Sequence, residues 1–229
     1  MRYSEFEGIM SIARMRRYLQ SVDGDSRKAM RLYRLNLKLS QELFTIISCL
    51  EIALRNAIDK QYSEAYGPDW LRDSTVQGGI FTCNKCLRTR DIILKALSEI
   101  RSDYSHVKLL TRMDFGFWRY LFAQPLYNAG GRLLLRVFPN KPKSTPSMNI
   151  DNSAIYNKLR VINELRNRIA HHEPICFQRN LPEISTVLSR KNYFQILELY
   201  QWMNIDEKSL LYGIDHVLQE CDKIDSLIV

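Results

Sequence analysis

From Ser40 to about Tyr66 the sequence keeps one helical period without a break, and Leu43, Ile47, Leu50, Leu54, Ala57 and Ile58 fall on a single stripe. A stripe of that length specifies the longest helix of the chain and the centre of its core. The segments that must cover it are also helical. Residues 8–21 set Ile9, Ile12, Met15, Tyr18 and Leu19 at near-helical spacing with Arg14, Arg16 and Arg17 between them, which predicts an amphipathic helix with a basic face. Asp23-Gly24-Asp25-Ser26 supplies a turn and an N-cap for a short helix through Met30, Leu32, Tyr33 and Leu35, and Ser40 is the next good N-cap.

Gly67-Pro68 ends the long helix, and residues 67–87 read as an irregular loop anchored by Trp70. A helix is expected over 89–101 through Ile92, Ile93, Leu97 and Ile100, with His106 just beyond it as a surface or capping histidine. Asp114 to Phe122 is dense in aromatics; a helix apolar on most sides is a buried one, although interleaved Arg and aromatic residues can also stack on bases. A further helix over about 126–137 precedes an exposed loop with three prolines, Pro139 to Pro146. Asp151 or Asn152 then caps a helix over about 152–173 through Ile155, Leu159, Ile162, Leu165 and Ile169, which Pro174 stops. Two helices, 193–203 and 206–224, close the chain. There is no alternating strand pattern, Gly-rich phosphate loop or internal repeat. The expected fold class is all-α, one domain over residues 1–229 with N-terminal helices across 8–66.

At 229 residues and 45% apolar content the chain can bury a real core. The longest apolar run, Phe44 to Leu50, is too short to span a bilayer, and the first residues lack a secretory pattern, so no membrane association and a cytoplasmic location are expected. Five cysteines, at 49, 83, 86, 176 and 221, make no disulfide framework for this size. Cys83-Asn84-Lys85-Cys86 has the spacing of a zinc knuckle, but tetrahedral zinc needs four ligands and no second pair lies nearby; neither a metal nor another cofactor is expected. The net charge of +8 suits a polyanionic partner. It is unevenly spread: residues 132–168 hold eight Lys/Arg against two Asp/Glu, and residues 193–229 hold two against seven.

The basic excess leads into Leu165-Arg166-Asn167-Arg168-Ile169-Ala170-His171-His172-Glu173-Pro174, which holds two of the four histidines. Cations gathered at a helix end are costly for a core but suited to a phosphodiester. Asn167 and His171 are four residues apart and stack on one face, so Asn167 can orient the His171 ring, and Arg168 is similarly aligned with His172. Arg166 and His171 stand about 140° apart on an ideal helix. They can serve one phosphate only if the helix end unwinds or a second copy approaches across a two-fold. Histidine, arginine and an amide without a carboxylate cluster fit RNA transesterification: one imidazole takes the 2′-OH proton, a second protonates the 5′-oxygen, and guanidinium steadies the phosphoryl oxygens. Glu51 and Arg55, four apart at the margin of the long stripe, read equally as a half-buried ion pair or as residues lining a site, and Arg55-Asn56 repeats the Arg-Asn step with no histidine after it.

Arg166-Asn167 followed by His171 looks like the R-x4-6-H signature of HEPN ribonucleases. Together with Leu50 to Ile58 and Phe115-Gly116-Phe117-Trp118, in that order, it resembles the Abi-like proteins of the AbiD/AbiF type, over roughly residues 30–175. That resemblance implies a HEPN-like helical bundle with additional helices, usually dimeric, in a bacterial abortive-infection or toxin-like phage-defence protein that cuts RNA without metal. By position Arg166, Asn167 and His171 take the signature's roles, His172 gives an equally compatible R-x5-H reading, and Glu51 and Arg55 match a second family motif. Arg168, Glu51, Arg55 and Asn56 are candidates for RNA binding or support of the site. The expected partners are RNA, a second copy of the chain, and a cognate non-coding RNA or antitoxin. Three readings stand open on the sequence: a homodimeric endoribonuclease, a non-catalytic HEPN module that holds a structured RNA, and a helix end that Arg166 and His171 merely stabilise.

Overall fold

The computed structural model describes residues 1–146 and 149–227. The chain opens with α1 (Tyr3–Met10) and α2 (Ile12–Gln20), split at Ser11, whose φ of 77° no helix accepts and whose Oγ takes the Arg14 N–H at 3.3 Å. The period over 8–21 therefore spans two helices. Met15 and Tyr18 are buried, whereas Ile9 and Ile12 are exposed. Asp25 caps α3 (Ser26–Tyr66), its Oδ1 accepting from the N–H of Arg27 and of Lys28 at 2.9 and 3.0 Å. The N-cap expected at Ser40 is absent, because α3 runs unbroken for 41 residues. Nothing between Ser26 and Tyr66 forces a stop: there is no Gly or Pro, and a serine inside a helix costs only a few tenths of a kcal/mol, roughly.

Gly67, at φ 95°, ends α3, and the following loop contains α4 (Trp70–Asp73) and a 3₁₀ turn over Asn84–Cys86. Next come α5 (Leu87–Ile100), α6 (His106–Thr111), α7 (Phe115–Tyr120) and α8 (Gln124–Ala129). Instead of one helix over 126–137 there is α8 and then a 3₁₀ segment, Leu133–Val137, because Gly131 and Arg132 both take left-handed φ, 67° and 62°. The chain ends with α9 (Asn152–Ala170), α10 (Val187–Trp202), α11 (Glu207–Leu210) and α12 (Val217–Asp225). The period over 206–224 is cut by Gly213 at φ 75°. The fold is all-α, with an isolated antiparallel bridge from Phe177 to Ile184. No described helix is long and apolar enough to cross a membrane.

Packing divides the chain into two compact units. The first comprises Met1–Ile47, Glu164–Leu197 and Lys208–Val229, the second Ser48–Asn163 and Glu198–Glu207, so α3, α9, α10 and α11 contribute residues to both. In the first unit a run of edge-to-face rings forms one end of the core: Phe6 on Tyr33 at 5.5 Å, Tyr33 on Tyr18 at 5.1 Å, and Tyr18 on Phe177 at 5.1 Å. Burial drives the Tyr18 phenol well above its ordinary pKa, which keeps it neutral. In the second unit Leu50, Leu54, Ile58 and Tyr62 of the long stripe are fully buried, as are Phe115, Trp118, Leu121 and Phe122. The aromatic segment is thus core. Its arginine, Arg119, is half-buried, with its guanidinium over the Tyr156 ring at 4.9 Å. Asn140, in the proline loop, is held by Trp202 O and Asn204 Oδ1.

Candidate functional site

The Arg166–Pro174 segment lies wholly in the first unit. Asp151 starts α9 by accepting the Ala154 N–H at 3.0 Å, and Ile155, Leu159, Ile162, Leu165 and Ile169 are buried along it. Its other end closes in a Schellman turn. The N–H of Glu173 reaches Arg168 O at 2.8 Å, that of His172 reaches Ile169 O at 2.9 Å, and His172 takes φ 56°. That is the position where helices prefer glycine. Histidine tolerates the left-handed region better than most residues, but the conformation still costs on the order of 1 kcal/mol. His171 is the residue just before the turn reverses, and its N–H still completes the helical bond to Asn167 O at 2.9 Å.

Around this turn the structure supplies a clamp that no local pattern announces. Arg168 does not line up with His172; its Nη2 donates to Pro174 O at 2.5 Å and its Nε to Glu173 Oε2 at 3.3 Å. From α2, Arg14 donates to His172 O at 2.6 Å. One helical turn on, Arg17 donates to Gln178 O at 3.0 Å and to Leu181 O at 2.5 Å, with its guanidinium 4.5 Å from the centre of the Phe177 ring. Asn36, a buried polar residue inside α3, accepts the Ile175 N–H at 2.9 Å, and Ser189 Oγ donates to Ile175 O at 2.8 Å. Next to it, burial pushes the Cys176 thiol up to about 12, leaving a protonated, unreactive group. The basic face of α2 was visible in the sequence, but its target was not: Arg14 and His172 are 158 residues apart.

What the clamp leaves uncommitted is small and specific. Asn167, His171 and His172 are exposed, and the bond described between Asn167 and His171 is the backbone one. Arg166 is half-buried, and its Nε is buried without a hydrogen-bond partner. A guanidinium N–H held out of water with nothing to donate to is costly.

The other candidates belong to the second unit. Glu51 and Arg55 are half-buried on α3, and Arg55 Nε donates to the side chain of its neighbour Asn56 at 3.2 Å. His106 is neither a surface residue nor a cap: it opens α6 with Nε2 2.7 Å from Asp59 Oδ1, an oxygen that also receives the Trp70 indole N–H at 2.8 Å. The Asp59 bond makes it a structural histidine joining α6 to α3, and its other ring nitrogen is buried without a partner. Among the described residues no group of three or more His, Cys, Asp or Glu side chains is placed to hold a metal ion.

No curated protein and no solved structure matches the chain. One family does, described as Abi-like protein, and the match runs from residue 2 to residue 176, ending two residues after Pro174 and leaving α10 to α12 outside it. With three quarters of an all-α chain covered, including the clamped turn and the helix that clamps it, this protein belongs to the Abi-like family of abortive-infection proteins.

Proposed function

We propose that the protein is a metal-independent endoribonuclease of an abortive-infection system, with a HEPN-type site at the end of α9. The observation that carries this reading is that Asn167 and His171 stand exposed one turn apart on a helix end otherwise fixed by Arg14, Arg17, Arg168 and Asn36. A fixed backbone with free functional groups is what acid–base chemistry requires. The 2′-oxygen attacks phosphorus as His171 takes its proton. The 5′-oxygen leaves, protonated by a second imidazole, and the fragments carry a 2′,3′-cyclic phosphate and a 5′-hydroxyl. Arg166 offers its N–H groups to the phosphoryl oxygens as charge builds there.

A homodimer supplies the second imidazole, because a two-fold sets the same helix end against its copy. His172 of the same chain is the other source. Asn167 orients the His171 ring, Arg168 positions the turn, and Glu51, Arg55 and Asn56 serve as the supporting second motif. A nuclease of this kind in the cytoplasm needs a silencer, and a cognate RNA or an antitoxin protein fills that role.

One observation favours a second reading, a non-catalytic module that holds structured RNA. Residues 132–168 hold eight Lys/Arg against two Asp/Glu, a basic excess that a polyanion can use whether or not it is cut. Incubating the protein with total RNA in EDTA separates the two. Cyclic-phosphate fragments from wild type and none from His171→Ala are expected; RNA bound at unchanged length by both proteins would replace the nuclease with the module.

A further inference from the structure

We propose that Cys83 and Cys86 form a redox-active dithiol, a modification site that exchanges with low-molecular-weight disulfides and closes into an intramolecular disulfide. The two sulfurs lie 2.8 Å apart in the second unit. The 3₁₀ turn brings them together: the Cys86 N–H reaches Cys83 O at 2.8 Å, so closing the ring asks little of the backbone. The frame around the turn is also set. Phe81 is fully buried and donates its N–H to Ser74 O at 3.0 Å, while Arg90 of α5 donates to Thr75 O at 2.9 Å. Gly79 packs so closely on this strand of loop that an added Cβ would sit 2.4 Å from Asp73 O.

The two cysteines are not equivalent. Cys83 is exposed and lines a cleft of about 480 Å³, with Lys85 beside it and Gln124 and Asn128 of α8 opposite, whereas Cys86 is 1% exposed. Reagents therefore meet Cys83 first. Burial, together with the neighbouring Cys83 thiol, pushes Cys86 up to about 12, so it stays protonated until it resolves a mixed disulfide. The exchange balances without another reactant. The Cys83 thiolate attacks one sulfur of RSSR, forming Cys83–S–S–R and releasing RSH after protonation. Cys86, losing its proton, then attacks the Cys83 sulfur and expels a second RSH. Two electrons pass from the protein dithiol to the small disulfide. The remaining cysteines stay out of the exchange, since Cys176 and Cys221 are buried and Cys49 is half-buried.

Trypsin cleaves after Lys85, between the two cysteines, and this makes the linkage directly readable. The full-length protein is equilibrated with oxidised glutathione, its remaining thiols are blocked with N-ethylmaleimide, and it is digested without reductant. The expected product is peptide 73–85 joined to peptide 86–88, lost on reduction. Cys86→Ser is expected to stop at the glutathione adduct on Cys83, and Cys83→Ser, at an exposed position, to carry no adduct at Cys86. Recovery of both cysteines as maleimide adducts from wild type, or of a stable glutathione adduct on Cys83 with no cross-link, overturns the proposal. The readout involves no RNA, so it stands or falls separately from the nuclease reading.

Discussion

The chain writes the step Arg-Asn three times, once in a turn at Arg179-Asn180 and twice in helices, as Arg55-Asn56 within α3 and as Arg166-Asn167 near the end of α9, and the two helical sites have little else in common. At the first, helix continues for ten residues beyond Asn56, and Arg55 spends its Nε on the adjacent amide. At the second, the helix ends four residues after Arg166; Asn167 and His171 are exposed, while Arg166 keeps a buried N–H with nothing to donate to. The difference lies in distance to a terminus. Only near a helix end can the following residues leave the cylinder, as His172 does at φ 56°. A dipeptide match is therefore poor guidance, and the same dipeptide with a clamped terminus behind it is much better.

The change expected to separate the two sites most is His171→Ala. If His171 is the acid–base residue, RNA cleavage in EDTA falls by about 10²–10⁴-fold, the range that a positioned proton-transfer group contributes. Because the side chain is exposed, the thermal midpoint should hold to within about 0.5 kcal/mol of stability. No substitution at Asn56 is expected to approach that loss. A variant that loses stability and keeps its cleavage rate would identify His171 as a helix-end residue only.

Next in size is a stability contrast between the paired arginines. Arg168→Ala removes a charged hydrogen bond to Pro174 O and a partly exposed ion pair to Glu173, and should cost about 1–2 kcal/mol. Arg55→Ala removes one exposed bond to a neighbouring side chain and should cost about 0.5 kcal/mol or less. Chemical denaturation read at the midpoint checks both. Asn36→Ala belongs with Arg168→Ala, since it strands the buried Ile175 N–H, and about 1–3 kcal/mol is expected. Equal, small effects at Arg55, Arg168 and Asn36 would mean that the clamp does not hold the turn.

How much of this was legible in the sequence follows from the reach of each signal. The α3 stripe, the Asp25 and Asp151 caps, and the burial of Phe115, Trp118 and Phe122 are local and periodic, and they could be read directly. The break at Ser11 could not, because a positive φ at serine leaves no mark on hydrophobic period. Ser40 misled for the opposite reason: a good capping residue caps only where the chain has cause to stop. At the site, the residues were readable and the support was not. Arg14, Arg17 and Asn36 act across more than a hundred residues, through side-chain bonds to carbonyl and amide groups that every residue carries. Cys83 and Cys86 announced their spacing, while the 3₁₀ turn that brings them together belongs to a loop with no periodicity.

The smallest effect is the one that divides the adjacent histidines. His172 stands at the left-handed position of the Schellman turn, and its carbonyl, not its ring, is what Arg14 holds. His172→Gly relieves the left-handed strain and adds freedom to the unfolded chain, two terms of opposite sign and each on the order of 1 kcal/mol. Stability should therefore change by no more than about 1 kcal/mol, and the Arg14 bond survives because glycine keeps the carbonyl. If His171 works with the imidazole of a second copy, cleavage by His172→Gly stays near wild type. If the two imidazoles come from one chain, cleavage falls as far as in His171→Ala while the midpoint does not move. A mixed dimer of wild-type and His171→Ala chains then tells the arrangements apart, since a site that needs the imidazole of each copy is lost in it, whereas sites complete within one chain keep about half of the cleavage.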